Sequence, residues 1–164
     1  MTEYVWELGI DWNAIETVGV SYLRGGLVKK VSGGPDVPSP GTAPVAPNDQ
    51  ITFRIFDLSS SVKVDKIGSF VILTKAAVNG QETCNSLSSL QPAITPDAPT
   101  APPSLFGSAR RSWTSSLVTV MDPGPAPGPG SGRFLLTIQV QAIGLDGQVR
   151  LFTHDPEMVV GPFG

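Results

Sequence analysis

The sequence predicts an all-β protein, an antiparallel β-sandwich of about seven to eight strands joined by long loops rich in proline and glycine. Two observations support this fold class. Apolar residues alternate with polar ones at the spacing of a half-buried strand, as in ITFRIFDL (51–58). In addition, no segment combines helical spacing of its apolar residues with residues that cap both ends of a helix. An immunoglobulin-like sandwich fits the strand number, and a partly open barrel is the alternative.

Six segments have the composition of strands. Alternation is clearest in 51–58 and in RFLLTIQVQAI (133–143), while β-branched and aromatic residues mark the others. A helical turn is an option only within TCNSLSSL (83–90). The predicted strands are 4–12, 15–23, 51–58, 69–78, 112–121 and 133–143, and the Asn79-Gly80 pair after the fourth of them suits a hairpin turn.

Three segments between the strands are dense in proline and glycine, namely 33–49, 91–103 and 122–132. Because proline lacks an amide donor, none of them is expected to form a helix or an interior strand. The stretches between them are too short to bury separate cores, so we expect one domain that spans residues 1–164. Loops of this length are often functional, which makes them candidates for contacts with a partner.

The proline-rich segments also contain P-x-x-P patterns, in PDVP, PDAP and PTAP. Such patterns are typical of polyproline II ligands. Ligands of this kind usually carry a basic residue nearby, and these segments have none close to the prolines. The composition therefore favours rigid connections over docking motifs.

The Asp146-Gly147 pair predicts the register of the last hairpin. A type I′ turn with these two residues at its centre places Gln141 opposite Phe152 and Gln139 opposite His154. All four side chains then point away from the core, because Val140 and its neighbours of the same parity point inward. An aromatic side chain among amides is typical of a surface that contacts a protein or a sugar.

This register defines a candidate binding surface. Asp155-Pro156 is expected to end the strand, since proline cannot donate to a ladder, and EMVV (157–160) then forms a short edge strand or a tail. The predicted surface residues are Gln139, Gln141, Phe152, His154, Asp155 and Glu157.

Most catalytic and cofactor chemistries lack their residues. The chain has one histidine, His154, and one cysteine, Cys84, so it can form no internal disulfide, and a zinc or blue-copper ligand set is incomplete. The strand NDQITFRIFD is similar to one that cupredoxins often show, but the second histidine of a copper site is missing. No G-x-S-x-G elbow and no phosphate-binding glycine loop is present. We therefore expect no enzymatic activity and no cofactor, with a hydrolase as a remote alternative.

Carboxylates in the turns leave one metal-dependent alternative open. Oxygen ligands of this kind suit calcium, although no D-x-D-x-D-G loop occurs. A calcium- or carbohydrate-dependent binding module is thus the second functional hypothesis, set against the ordinary role of aspartate in turns. The carboxylates are Asp36, Asp49, Asp97, Asp122, Asp155 and Glu157.

The charge pattern restricts the partners. The net charge is −3, and the paired basic residues are only Lys29-Lys30 and Arg110-Arg111, so we expect no nucleic-acid partner. No stretch approaches the length that spans a bilayer, and the N-terminus lacks the pattern of a signal peptide. We expect no membrane partner and a cytoplasmic location by default. A protein or a glycan remains as the partner, with self-association as a further option.

Two stretches carry a resemblance to known proteins, NDQITFRIFDL (48–58) and HDPEMVVGP (154–162). Through them the sequence resembles small uncharacterised bacterial β-sandwich proteins, which implies a fold and no activity. In its general layout it also resembles the bacterial inclusion-body family of the AidA/PixA type. That resemblance implies a non-enzymatic role in glycan binding or self-assembly, and neither transfers a functional residue. The sequence thus predicts a binding or assembly protein that makes contacts through its proline-rich loops or an exposed sheet face.

Overall fold

A computed structural model describes residues 1–13, 21–31, 37–38, 43–46, 48–78, 81–82, 88–98, 105–106, 111–120, 133–154 and 157–160. These residues form strands and turns and contain no helix, so none is long and apolar enough to cross a membrane. The strands are β1 (Glu3–Ile10), β2 (Ser21–Tyr22), β3 (Arg24–Lys29), β4 (Val37–Pro38), β5 (Ala43–Val45), β6 (Gln50–Asp57), β7 (Val64–Val78), β8 (Gln81–Glu82), β9 (Ser88–Leu90), β10 (Ile94–Pro96), β11 (Arg111–Ser115), β12 (Val118–Thr119), β13 (Arg133–Gly144), β14 (Val149–His154) and β15 (Glu157–Val160).

The strands form two sheets in the described part of the chain. The first sheet has the order β10-β11-β6-β1-β3-β4, and β12 also pairs with β6. In the second sheet β13 pairs with β7 on one side and with β14 and β15 on the other, while β2 extends β14 and β5 extends β15. The short strands β8 and β9 pair with the other edge of β7. The sheets do not close into a barrel, which confirms the predicted sandwich.

The sequence predicts an antiparallel sandwich, whereas the observed sandwich contains both parallel and antiparallel strand pairs. Strands β1 and β6 pair in parallel through eight residue pairs, from Glu3 with Gln50 to Ile10 with Asp57. Two shorter pairs, β14 with β2 and β15 with β5, are also parallel. Parallel neighbours require a crossover connection, and the long segment between β1 and β6 supplies it.

The predicted strands agree with the structure where alternation is strong. Segments 51–58 and 133–143 correspond to β6 and β13, and segment 4–12 corresponds to β1. The segment 112–121 is divided into β11 and β12, and β7 begins at Val64, before the predicted position 69. Apolar residues at alternate positions account for the agreement in β6 and in the described part of β13, whereas β1 is buried on both faces.

Three predicted elements lie partly or wholly outside the described residues, and a fourth differs in its position in the sheet. Only Ser21–Tyr22 and Leu23 of the predicted strand 15–23 are described, and the Asn79-Gly80 turn and residues 83–87 lie outside the described part. The 157–160 segment forms β15 as expected, but β15 lies between β13 and β5 and is not an edge strand.

The core lies between the two sheets. Trp6, Leu8 and Ile55 of the first sheet are buried, as are Ile72 and Ile138 of the second. They belong to one cluster of buried side chains that draws on both sheets. The rings of Phe53 and Phe70 meet across the sandwich with their centroids 5.4 Å apart. Burial of this aromatic and aliphatic surface is the main source of the fold's stability.

The outward face of the first sheet is also covered. Leu105 lies over Gly26, where an added Cβ atom would overlap the leucine side chain. Phe106 lies within contact distance of Gly9, where an added Cβ atom would overlap Leu58. The backbone amide of Leu105 donates to Glu7 Oε2 at 2.9 Å, which holds this covering segment on the sheet. Beneath and beside it, the outward side chains Val5, Val28 and Phe56 are buried.

Proline occurs in edge strands of both sheets. Pro38 lies in β4 and Pro96 in β10, at the two ends of the first sheet, and Pro44 lies in β5 at an edge of the second. Two of the segments predicted as loops, 33–49 and 91–103, therefore supply short edge strands. This agrees with the exclusion of proline from interior strands, since an edge leaves its missing donor unneeded. The 122–132 segment lies outside the described residues.

A buried carboxylate joins the first sheet to the second. Asp57, the last residue of β6, is fully buried and accepts backbone N–H groups from Ser59 at 3.0 Å, Lys63 at 2.9 Å and Val64 at 3.0 Å. These bonds fix the turn from β6 to the start of β7. Because the acceptor is charged, each bond is stronger than one between neutral groups.

We expect Asp57→Ala to lower the free energy of unfolding by about 2–4 kcal/mol, because it leaves buried amides without an acceptor. Urea unfolding measures this change. Asp65→Ala serves as the control, since the half-exposed Asp65 reaches Arg111 at only 4.0 Å, and it should cost no more than about 0.5 kcal/mol. Equal losses in the two variants would contradict the role given to Asp57.

Candidate functional site

The turn between β13 and β14 has three loop residues, Leu145, Asp146 and Gly147. Gly147 N donates to Gly144 O at 3.0 Å, and Gly144 N donates to Gln148 O at 2.9 Å. Gly147 has a φ of 79°, whereas Asp146 is not among the described residues with positive φ. This is a type I turn followed by a glycine in the left-handed region, and the predicted type I′ turn is therefore wrong. The Asp146 Oδ1 atom accepts Gln148 N at 2.9 Å and stabilises the loop.

The extra loop residue shifts the hairpin register by one position. Val140 pairs with Phe152, Ile138 pairs with His154, and Gln141 pairs with Leu151. Strand β13 keeps the orientation that the sequence predicted, with Val140 and Ile138 buried. Strand β14 is turned over instead, because a shift of one residue exchanges the two faces of a strand.

Phe152 and His154 consequently face the core, and their prediction as outward residues is wrong. Phe152 is fully buried, with its ring centroid 6.1 Å from that of Trp12. The partly buried His154 ring meets the Trp6 ring edge-on at a centroid distance of 6.1 Å. Gly25 of β3 provides the space for this imidazole, since a Cβ atom there would overlap the ring.

Arg150 is the third residue on the inward side of β14. Its guanidinium lies over the Trp12 ring, 4.3 Å from the centroid, and donates to the Trp12 carbonyl oxygen. A cation stacked on an indole face is stabilised by the ring quadrupole. The new register is thus supported by three side chains of β14 that contact the core or its margin.

The other predicted surface residues are divided between described and undescribed parts of the chain. Gln139 and Gln141 alternate with buried residues of β13 and lie on the outward face, as predicted. Asp155 lies outside the described residues. Glu157 is the first residue of β15 and pairs with Leu135. The predicted set is therefore not brought together as one surface by the described residues.

The β14 side chains that share the outward face with Gln139 and Gln141 are not the ones that the sequence predicted. Leu151 lies opposite Gln141, Val149 lies opposite Ile143, and Thr153 lies opposite Gln139. Val149 is 55% exposed and Leu151 is 40% exposed. We call the set the contact face, defined as Val71, Gln139, Gln141, Ile143, Val149, Leu151 and Thr153. The sequence signal for it is the G-L-D-G order of residues 144–147, which also suits a three-residue loop with glycine third.

The seven residues of the contact face include no ionisable side chain, but an exposed lysine adjoins them on the same face. Lys66 of β7 lies directly opposite Ile143, and residues opposite each other in an antiparallel pair share a face. Asp146 lies at the tip of the hairpin. Gly68 forms a bulge in β7, where its backbone passes beneath the side chains of Gln141 and Ile143. The result is a surface of aliphatic and amide groups spread over three neighbouring strands.

The described loop carboxylates Asp49 and Asp97 accept hydrogen bonds from neighbouring groups of the fold. Asp49 is buried and accepts Thr2 N at 2.7 Å and Ala46 N at 2.8 Å. Asp97 accepts the hydroxyls of Ser112 and Thr114, each at 2.7 Å. No group of three possible metal ligands occurs among the described residues. Asp36 and Asp122 lie outside the described part of the chain. The geometry of Asp49 and Asp97 therefore offers no support for the calcium hypothesis.

The charged and polar groups around Asp97 form a network on the outward side of the first sheet. Arg54 lies 3.5 Å from Asp97 Oδ2 and also stacks over Phe56, 5.0 Å from the ring centroid. The Arg54 guanidinium thus helps to bury Phe56 while its charge meets the carboxylate. This network covers the sheet and leaves no exposed aromatic surface at Phe56.

No protein-family model matches this sequence, and no curated protein matches it. The function is accordingly inferred from the geometry of the described residues.

We expect Gly25→Ala to lower the free energy of unfolding by about 1–3 kcal/mol, because the added methyl overlaps the His154 ring between the sheets. Urea unfolding in a double-mutant cycle with His154→Ala tests the contact. In the His154→Ala background the cost should fall by at least about 1 kcal/mol. An unchanged cost in that background would show that His154 does not occupy the space above Gly25.

Burial, and then the negative charge of Asp49, raises the pKa of Tyr4 above its ordinary value of 10.0. The stabilising effect of the neutral hydroxyl is complete below pH 10.0 and is lost as the pH rises through the folded-state pKa. Absorbance titration of tyrosinate should show Tyr4 ionising later than a free tyrosine. Because the chain has two tyrosines, Tyr22→Phe isolates the signal, and titration of Tyr4 at its ordinary pKa would contradict the prediction.

Proposed function

We propose that this protein is a non-enzymatic binding protein, and that the contact face binds another protein. The observation that supports the proposal is the exposure of Val149 and Leu151, at 55% and 40%, on the outward face of the region formed by β7, β13 and β14. Neighbouring apolar side chains in contact with water are a typical feature of interaction sites. The scaffold would be the immunoglobulin-like sandwich that the sequence predicts.

The two outward faces of the sandwich differ in a way that favours this function. On the first sheet, Leu105 and Phe106 cover the surface, and Val28 and Phe56 are buried. On the second sheet, Val149 and Leu151 are exposed to water. A sheet face that is meant to remain in water normally carries polar residues at the exposed positions. The contact face departs from that pattern at Val149 and Leu151.

The composition of the contact face favours a protein over a glycan. Phe152 was the aromatic side chain of the predicted surface, suited to a protein or a sugar, and it is buried in the core. The exposed groups that replace it on this face are aliphatic, Val149 and Leu151. A patch of apolar and amide groups without charge at its centre is the usual composition of the middle of a protein interface.

Proline weakens the addition of a strand at three edges of the two sheets. The edge strands β4, β5 and β10 contain Pro38, Pro44 and Pro96, each of which lacks an amide donor. An extended peptide that adds to a sheet edge relies on main-chain hydrogen bonds. At these three edges that mode is weakened, whereas the contact face has no such obstacle.

The proposal predicts a position-specific crosslink. Leu151 is replaced by p-benzoylphenylalanine, and the protein is irradiated inside the cells that produce it. Leu117 is the matched control position, because it is 54% exposed and lies in the first sheet's β11–β12 turn. We expect an adduct from position 151 and none from position 117, since only the former lies on the contact face.

Mass spectrometry of the adduct identifies the partner. A defined protein attached at position 151 supports the proposed function. If position 151 gives no adduct, or the same adducts as position 117, then the contact face is not a binding surface.

A further inference from the structure

We infer that the outward face of the first sheet is a groove for an extended peptide, and that Leu105 and Phe106 of this chain occupy it as an internal ligand. The occupant from another protein is an extended segment in which an aromatic residue follows a leucine. This surface is separate from the contact face, which lies on the second sheet. We call it the peptide groove, defined by Val5, Glu7, Gly9, Gly26, Val28 and Phe56.

Two glycines open the floor of the peptide groove. Gly26 lies opposite Glu7, and Gly9 shares the outward face with Glu7 because the two are two residues apart on β1. Leu105 Cδ1 lies 2.6 Å from the point that a Cβ atom of Gly26 would occupy, and Phe106 Cε2 lies 3.4 Å from that point at Gly9. Among the described residues, apart from the chain neighbours of Gly26, only Leu105 has atoms within 4 Å of the former point. The space above Gly26 is therefore filled by a leucine side chain.

Apolar side chains border this floor. Val5 of β1 and Val28 of β3 lie opposite each other, and Phe56 of β6 lies opposite Gly9. All three are buried although they point away from the core between the sheets. Their burial gives the groove apolar margins, which favour an apolar occupant because its transfer from water is favourable.

A buried carboxylate recognises the backbone of the occupant. Glu7 is only 4% exposed, and its Oε2 atom accepts the backbone N–H of Leu105 at 2.9 Å. Loss of a donor to a buried carboxylate is costly, so a segment that replaces Leu105 must supply an N–H group of its own. Because Glu7 lies opposite Gly26, this bond also sets which residue of a peptide has its side chain above the glycine.

The internal ligand is attached less firmly than the strands beneath it. Leu105 and Phe106 are only partly buried, and neither belongs to a strand. A segment outside the ladders, with its side chains still in contact with water, opens at a lower free energy than a core strand. Displacement of these two residues therefore leaves the sheet itself intact.

The covalent attachment of the internal ligand makes the groove selective. A tethered ligand acts at an effective concentration in the millimolar range, so a free peptide of equal intrinsic affinity competes poorly. A partner has to present a segment with better contacts or at a high local concentration. The Leu105-Phe106 pair is thus an autoinhibitory contact that keeps weak ligands out of the groove.

Fluorescence anisotropy with a labelled peptide tests the groove in the full chain. The peptide is acetylated PPSLFGSA, the sequence of residues 102–109. It should bind the double variant Leu105→Ala, Phe106→Ala at least about tenfold more tightly than the unsubstituted chain, where the internal ligand competes. The control peptide PPSAAGSA should bind neither protein. Circular dichroism establishes that the double variant is folded; if it is not, Leu105→Ala alone should show the same preference for the peptide.

A further substitution in the double variant locates the bound peptide. Gly26→Ala suits the backbone, because the φ of Gly26 is not positive, and its methyl group occupies the space of the leucine side chain. It should weaken peptide binding at least about tenfold, since the leucine no longer fits. Leu151→Ala on the contact face is the control and should change the affinity by no more than about twofold. Equal effects of the two substitutions would overturn the assignment of the groove.

A modified peptide tests the role of Glu7. Methylation of the leucine nitrogen removes the N–H group that Glu7 accepts and keeps both apolar side chains. The methylated peptide should bind the double variant at least about tenfold more weakly, because a buried acceptor loses its donor. Equal affinity of the two peptides would overturn backbone recognition by Glu7.

Absence of peptide binding to both the double variant and Leu105→Ala would overturn the inference as a whole. Such a failure is distinct from failure of the proposed function, because the crosslink at position 151 reports on the other sheet. Sedimentation velocity of the unsubstituted chain identifies a different occupant. A dimer that the peptide dissociates would show that the groove takes the segment of a second copy, and it would overturn a separate protein as the partner.

Discussion

The backbone conformation of Gly147 is the constraint on which the rest of the second sheet depends. Its φ of 79° allows a three-residue loop, and this loop fixes the pairing of β13 with β14. With that pairing, Phe152 packs beneath Trp12 and Leu151 lies on the outside. A loop shorter by one residue would exchange these two positions. One glycine thus decides both what fills this end of the core and what the surface presents.

The outward faces of the two sheets differ in whether their apolar side chains are covered or exposed to water. The first sheet is covered from within the chain, by a segment whose amide binds a buried carboxylate, Glu7. The second sheet leaves aliphatic groups in water on its outward face. Asp57 connects the two sheets through the turn that starts β7. The asymmetry of the sandwich, rather than any catalytic group, is the feature that suggests a function.

The sequence predicts the long strands well because local alternation is enough to define them. In β6 the alternating residues Ile51, Phe53 and Ile55 are buried as predicted, and in the described part of β13 so are Ile138 and Val140. The direction of β14 was not predictable, since Leu-Asp-Gly is compatible with a loop of two or three residues. The choice between the two loop lengths depends on the packing of Phe152 against Trp12 and of His154 against Trp6. Both tryptophans lie far from β14 in the sequence. Short strands such as β5 and β10 were also missed, because three residues contain no periodicity.

The burial of β1 on both faces has a consequence for the order of folding. This strand precedes all its partners in the chain, and Glu7 accepts the amide of a residue 98 positions later. Until those partners have been synthesised, Trp6, Leu8 and Ile10 have no sheet to pack against. Contacts so distant in sequence form slowly, because a long loop must be closed first. We therefore expect the nascent chain to spend a period with this strand exposed, although both of its faces are buried in the folded protein, and chaperones would be most needed then.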